Sequence, residues 1–398
     1  MAIYGIVAEY NPFHNGHKYQ LDKIRECSDC SGIIAVMSGN FVQRGEAAIM
    51  PKCERVSAAL QNEVDLVLEL PVPFATATAE KFAFAAIYIL NSFGMTDKLS
   101  FGSECGETDS LISAAEAVMS VNVDELIKAE LKSGVSYPTA RARAVKQYCG
   151  AEIYEILNEP NNILAVEYIK AIKKLNSPIV PTTVKRAGAA HDSKIIANNI
   201  ISASAVREII NKNSGISEFV PKNALEIYKS ALNCGSAPSS MKRLETAILA
   251  SLRMKTSTDF NNIPDVSEGI ENRILSAAKT ASTLTQLYDL AKTKRYTHSR
   301  IRRIVICSYL GITRDYLSQN PPYIRVLGFN SNGRAILREA KKKSQLPIVM
   351  SASDIKKLGK PAIDFFELEC RTTDVYNLSL PEIRRCGTEM TENVLIFE

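Results

Sequence analysis

The chain has 398 residues, a length that suits two domains or three. Its hydrophobic content of 46% and charged content of 23% are those of a soluble globular protein with an ample core. A membrane span is excluded, since even apolar runs such as residues 65–70 are interrupted by carboxylates. Met1-Ala2-Ile3 leads straight into a strand, which leaves no room for a signal peptide and makes the cytoplasm the expected location. The net charge of +5 is unevenly spread: residues 1–215 carry 21 Lys+Arg against 24 Asp+Glu, and residues 216–398 carry 27 against 19. A mildly acidic half joined to a basic half suggests that one part does chemistry while the other holds a polyanion. The expected domains are therefore 1–215, catalytic, and 216–398, mainly helical and basic.

Residues 3–8 read as a buried strand, broken by Asn11-Pro12 because proline lacks an N–H for the ladder. His14-Asn15-Gly16-His17 follows and opens an amphipathic helix through Tyr19, Leu21 and Ile24. A helix N-terminus offers unpaired N–H groups and a positive dipole end to an anion. Two histidines three apart lie on one face and reach the same anion, while Gly16, without a Cβ, lets a flat base or ribose approach the backbone. Nucleotidyl transfer needs such charge stabilisation around the α-phosphate. A metal pair would call for i, i+4 spacing or carboxylate support, and neither is present.

Cys27 and Cys30 are the one close pair among nine scattered cysteines and lack a second pair at zinc-finger spacing. They read as reduced thiols at a helix end, with a redox or half-metal role as the alternative. A second buried strand over 32–37 ends in the loop Ser38-Gly39-Asn40-Phe41-Val42-Gln43-Arg44-Gly45, and a helix follows over 52–62. A third strand over 64–70 stops at Pro71, residues 77–90 are helical, and a fourth strand over 98–101 ends at Gly102-Ser103-Glu104. Strands alternating with helices indicate an α/β fold with a Rossmann-like, doubly wound parallel sheet. Ligands bind such sheets at the carboxyl ends of the strands, so the loops after the first, second and fourth strands share one edge.

Residues 108–150 are expected to be helical, with a basic stretch of Lys132, Arg141, Arg143 and Lys146. Asn161 and Asn162 are suited to cap the next helix. A fifth strand over 178–184 leads into Lys185-Arg186-Ala187-Gly188. Ser202 or Ser204 caps the helix after that, and Arg207 adds a cation for phosphate. Residues 292–303 hold six cationic side chains, Lys292, Lys294, Arg295, Arg300, Arg302 and Arg303, with Tyr296 and His298 among them. Aromatic rings between cations are what stacking on unpaired bases requires. A later run adds Arg338, Lys341, Lys342 and Lys343, and residues 323–329 read as a strand turning into a helix at 330–333.

The runs Asn-Pro-Phe-His-Asn-Gly-His, Ser-Gly-Asn-Phe-Val-Gln-Arg-Gly, Phe-Gly-Ser-Glu and Ile-Ser-Ala-Ser-Ala-Val-Arg resemble the tRNA(Met) cytidine acetate ligases of the HIGH-motif nucleotidyltransferase superfamily. The resemblance covers nearly the whole chain. It implies that ATP and acetate give acetyl-adenylate, whose acetyl group passes to N4 of the wobble cytidine of elongator tRNA(Met). It also implies an ATP site made of Val7, Ala8, Glu9, Tyr10, Asn11, Pro12, Phe13, His14, Asn15, Gly16, His17, Lys18, Tyr19 and Gln20, with Gly102, Asn162 and Arg186. His14 and His17 would face the phosphates as the catalytic pair. Ser202, Ser204 and Arg207 match the superfamily's second phosphate motif, often Ile-Ser-Ser-Thr, from which Ala203 and Ser204 depart. No Lys-Met-Ser-Lys-Ser-like loop is present, which argues against an aminoacyl-tRNA synthetase. Asn40 and Arg44, judged from their loop alone, are candidates to position acetate or cytidine, and Lys294, Arg295, Arg300, Arg302 and Arg303 to hold tRNA. Mg2+ bridging the ATP phosphates is expected on general grounds, with no protein ligand to name. No membrane and no obligate protein partner are implied. A small-molecule adenylyl- or cytidylyltransferase, or a nucleotide-dependent RNA-binding module, would share the His-x-Gly-His element; the basic half favours the RNA-modifying ligase.

Overall fold

A computed structural model describes residues 1–186 and 199–398, so Ala187 and Gly188 lie outside the described residues. Its strands are β1 (Ala2–Ala8), β2 (Cys30–Ser38), β3 (Phe41–Val42), β4 (Glu46–Ala47), β5 (Leu66–Leu70), β6 (Lys98–Ser103), β7 (Val180–Lys185), β8 (Ile324–Phe329), β9 (Ile348–Val349) and β10 (Leu395–Ile396). The main sheet runs β10-β8-β5-β2-β1-β6-β7, with β9 beside β8, while β3 and β4 form a separate hairpin. β1, β2, β5, β6 and β7 are parallel; β8 runs antiparallel to β5 and carries β9 and β10 parallel to itself. The near-continuous apolar runs of β2 and β5 follow from helices covering both faces.

The order of the strands fixes where a ligand goes. From β1 the chain winds outward to β2 and β5, then the helix Ala79–Phe93 carries it back to place β6 on the other side of β1. The crevice outside the carboxyl ends of β1 and β6 is thus the switch point of the sheet, where adjoining loops diverge and leave room.

One sheet face is packed by the helices Ala79–Phe93, Thr108–Met119 and Pro160–Lys174. The other is covered by Asn15–Arg25, Lys52–Leu60, Ala203–Asn211 and Lys222–Asn233. A second core joins the helices Met241–Arg253, Ile270–Thr280, Leu284–Ala291 and His298–Leu310, and takes in Phe41, Val72 and Tyr376. The boundary expected at 215/216 is therefore corrected. Ile216, Val220, Ala224 and Tyr228 pack in the same core as Tyr4, Ile6 and Phe13, and β8, β9 and β10 complete the sheet. Helix content characterises residues 241–310, but the apolar edge of β5 needed a partner strand, and the later chain supplies it.

A buried ionic cluster locks this junction. Lys52 Nζ lies 2.6 Å from Glu69 Oε1 and Arg325 Nη1 3.0 Å from Glu69 Oε2, and both cations donate to Glu389. Beside them, burial and the neighbouring Glu69 carboxylate push Glu369 well above the usual carboxylate range. Lys52 and Arg325 thus pair with Glu69 and Glu389. Removing one partner would strand a buried charge, at about 3–5 kcal/mol.

Cys27 and Cys30 are free thiols at the turn between the first helix and β2. Among the described residues no three His, Cys, Asp or Glu side chains gather as a metal would require, and no helix is long and apolar enough to cross a membrane.

Candidate nucleotidyl-transfer site

The loop after β1 is held at every step by backbone-directed bonds. Arg55, fully buried, donates to the carbonyls of Glu9 and Ser38 at 2.6 and 3.0 Å. Tyr10 adopts a positive φ of 46° with its ring inside the core, and Asn11-Pro12 is cis. Asn11 Oδ1 accepts from Ile49 N at 2.7 Å, and Phe13 N donates to the Tyr228 hydroxyl at 2.9 Å. This delivers His14 as the cap of the helix Asn15–Arg25.

The two histidines close a capping box normally built from a hydroxyl and a carboxylate. His14 Nδ1 accepts from Gly16 N at 2.9 Å, and His17 Nδ1 accepts from His14 N at 3.2 Å. Their rings stack with centroids 3.9 Å apart and planes at 29°, and the Tyr10 and His17 rings meet in a T-shaped contact with centroids 4.9 Å apart. Because each Nδ1 accepts, each ring in its neutral form carries its proton on Nε2. Burial, with Arg186 and Arg207 nearby, lowers the His14 pKa to about 3; burial, His14 and Arg186 lower that of His17 as well. The pair is two neutral N–H donors, not two cations.

Two expectations need correction here. The first N–H groups of this helix are not vacant: Asn15 N bonds Phe219 O, Gly16 N bonds His14 Nδ1, and His17 N bonds His14 O. Anion recognition at this terminus falls to the imidazoles. Gly16 does not make room for a base either. A Cβ there would meet His14 Cε1 at 2.8 Å and Ile200 Cγ2 at 3.4 Å, so the glycine is required for the capping imidazole to fold back.

Other residues gather at the same edge. Arg186, exposed just past β7, lies over Gly102, where a Cβ would stand 3.3 Å from its Cγ, and its charge acts on both histidines. Arg207 donates to Asn11 O at 2.8 Å and Ser204 Oγ at 2.9 Å, tying the helix Ala203–Asn211 to the loop after β1. Neither guanidinium has a carboxylate partner among the described residues. Arg44, exposed in the β3–β4 hairpin, is near enough for its charge to act on Arg207. Gln20 donates to Ser100 O at 3.2 Å across β6.

Several candidates serve the scaffold. Ser202 caps its own helix through Ala205 N, and Ser204 is held by Arg207. Asn162 does not cap its helix; Glu159 occupies that position. Glu104 instead accepts from the Asn161 and Asn162 N–H groups, while Asn162 Oδ1 accepts from Glu104 N and Cys105 N, which fixes the loop after β6. Lys18 pairs with Asp22 and Glu63, and Asn15 Nδ2 bonds Glu218 O and Asn199 O. Asn40 is buried, its amide bonded to Thr373 Oγ1 and Lys52 N beside the buried ionic cluster, where it serves the scaffold.

The basic segment departs most from expectation. Arg295 pairs with Glu268 at 2.6 Å, Arg303 with Asp265 at 2.6 Å and Arg302 with Glu46 at 2.5 Å. Arg300 bonds Asp265 O and Ser267 Oγ. Tyr296 is buried with its hydroxyl on Glu268 O, and His298 lies 3.6 Å from Asp289. Arg300 and Arg303 stitch the helix His298–Leu310 to the loop before Ile270, Arg302 ties it to β4, and Arg295 holds the segment ahead of it, so the four charges are paired within the protein. Only Lys292 and Lys294 of the run are exposed without a carboxylate among the described residues. Acidic partners up to 256 residues away in sequence made the run look free.

Glu104 and Arg55 were missed as organisers. Glu104 had a signal, since it ends the Phe-Gly-Ser-Glu run; Arg55 had none, because nothing local marks a cation that the fold will bury.

A parallel sheet whose switch point presents a His-x-Gly-His capping pair is the architecture of a HIGH-type nucleotidyltransferase, and the HIGH Nucleotidyl Transferase family matches residues 1–390. The tRNA(Met) cytidine acetate ligase of Acetivibrio thermocellus is 38% identical over the full length of both chains. That of Thermoanaerobacter sp. is 42% identical over 95% of this chain and 96% of its own. The crystal structure of Thermotoga maritima TmcAL bound with alpha-thio ATP superposes with a TM-score of 0.94 at 33% identity, covering all of both chains. The chain belongs to the tRNA(Met) cytidine acetate ligase family.

Proposed function

We propose that the protein activates acetate with ATP and transfers the acetyl group to N4 of the wobble cytidine of elongator tRNA(Met), working in the cytoplasm. The observation that carries the reading is the meeting, at the β1/β6 switch point, of two neutral Nε2–H donors with Arg186 and Arg207, neither in an ion pair with a carboxylate among the described residues. Family membership supplies the substrates.

In the first step an acetate oxygen attacks the α-phosphorus, a P–O bond forms, and pyrophosphate leaves. Acetate is already charged and needs no base; it needs the repulsion between two anions reduced. Arg186 and Arg207 offset the triphosphate charge, while the imidazoles donate to the oxygens on which charge accumulates. Neutral donors in a site of low polarity stabilise that charge without themselves titrating. In the second step the cytosine N4 attacks the acetyl carbonyl and AMP leaves, the amine losing a proton. An anticodon base is already unpaired, so drawing it into the site costs at most a few kcal/mol, roughly. Arg44, at the mouth of the site, is placed to meet the incoming RNA. The described residues offer no cluster fit to hold Mg2+ by themselves, so the ion would travel on the ATP phosphates.

Incubation with ATP, labelled acetate and total tRNA, followed by nucleoside analysis, tests this. Label is expected in N4-acetylcytidine. Label confined to an acyl nucleotide, with none in RNA, would return the protein to the small-molecule nucleotidyltransferases.

A further inference from the structure

A cavity of about 360 Å3 lies between the loop Thr76–Thr78 and the helix His298–Leu310, apart from the histidine pair. Its body is largely apolar, with Ala77, Pro264 and Leu317 among its walls. Its charge is unbalanced. Lys81, Arg303 and Arg314 border it, against the single carboxylate of Asp265. Asp265 is already engaged by Arg303 at 2.6 Å and Arg300 at 3.4 Å. Lys81 and Arg314 bond carbonyls, those of Leu317 and of Ile263 and Val266, and neither is in an ion pair among the described residues. Arg303 Nε is buried with no acceptor. A volume of this size suits a small organic ligand, and apolar walls beside an excess of cations suit a nucleobase with its phosphate.

The cavity also adjoins the reaction centre through a short relay. Gln43 Nε2 donates to Ala77 O at 3.3 Å in the cavity wall, and Gln43 N donates to Glu9 Oε1 at 2.8 Å in the loop after β1. Resting on the tRNA-modifying function proposed above, we propose that this cavity receives a second, splayed-out nucleotide of the RNA substrate, so that two sites clasp the strand on which the cytidine is presented. This also explains how the helical region contacts RNA although its arginine run is internally paired.

Two variants test it. Thr78→Phe fills the cavity at a side chain that makes no capping hydrogen bond, and Lys81→Glu reverses a rim charge at an exposed position. Each is titrated with elongator tRNA(Met) and with free CMP, a non-hydrolysable ATP analogue saturating the nucleotide site. Both variants are expected to bind the analogue and melt like wild type, and to bind tRNA at least tenfold more weakly. Lys81→Glu should also reduce the dependence of log K on log salt by about one. Wild-type tRNA affinity in both folded variants would overturn the proposal. Free CMP binding as tightly as tRNA, and lost in Thr78→Phe, would replace an RNA nucleotide by a free one and so overturn it too. Failure of the parent reading is distinguishable, because wild type would then show no tRNA affinity and no acetylation.

Discussion

Two arginine-bearing regions of this chain look alike in sequence and behave as opposites. Around the switch point, Arg44, Arg186 and Arg207 have no carboxylate partner among the described residues and bear on one small volume with two imidazoles. In residues 292–303, four arginines are tied to Asp265, Glu268 and Glu46 or to backbone carbonyls. The count of cations is higher in the second region, yet the arginines without an ion pair among the described residues lie in the first. A positive potential is set by charges left unpaired after folding, and partners arriving from distant sequence decide which those are.

The sharpest test of the first region replaces each imidazole by asparagine, whose Oδ1 keeps an acceptor near the place of Nδ1 and whose shorter side chain removes the Nε2–H. For His17→Asn or His14→Asn, acetate-dependent AMP formation is expected to fall about 10²–10³-fold with tRNA affinity within about twofold. A variant with full turnover would end the catalytic assignment.

The same histidines predict a pH dependence of stability. The folded His14 has a pKa of about 3, well below the value of about 6.5 in an unfolded chain. Above about pH 6.5 neither state binds the proton and the fold is unpenalised. As pH falls from there toward about 3, the unfolded chain gains a proton that the fold refuses, and stability drops by about 1.4 kcal/mol per pH unit for this residue. Denaturant midpoints across that range should show the loss in wild type and less of it in His14→Asn. An equal slope in both would mean that the imidazole is not held neutral.

Arg186→Gln should lower kcat/KM for ATP by tenfold or more while leaving the melting temperature unchanged, since none of the described residues loses a side-chain bond. A stability loss would place Arg186 with the scaffold. Arg300→Ala should do the reverse, costing about 1–3 kcal/mol of stability through stranded acceptors at Asp265 and Ser267 and leaving the salt dependence of tRNA binding untouched. Arg295→Ala, which breaks a half-exposed pair with Glu268, should cost under about 1 kcal/mol. A marked loss of tRNA affinity in folded Arg300→Ala or Arg295→Ala would restore the basic run as an RNA surface and dissolve the contrast.

What the sequence alone determined follows from local physics. The apolar runs and turn residues place β1, β2, β5, β6, β7 and β8 within a few residues, most plainly β2 and β5, where burial on both faces leaves a near-continuous apolar run. A spacing of three residues put His14 and His17 on one face, and the stacked rings bear that out. Only the tertiary structure decided how those groups are used. It consumed the helix N–H groups within the capping box and set both rings neutral. It gave Gly16 to the fold of His14, spent Asn40 beside the buried ionic cluster, and drew β8 and β10 across the expected boundary into one sheet. The reason is common to all of these. Hydrogen-bond saturation and charge neutralisation depend on which groups meet in space, and Glu46 with Arg302, or Glu69 with Arg325, meet only after some 256 residues of chain have folded between them.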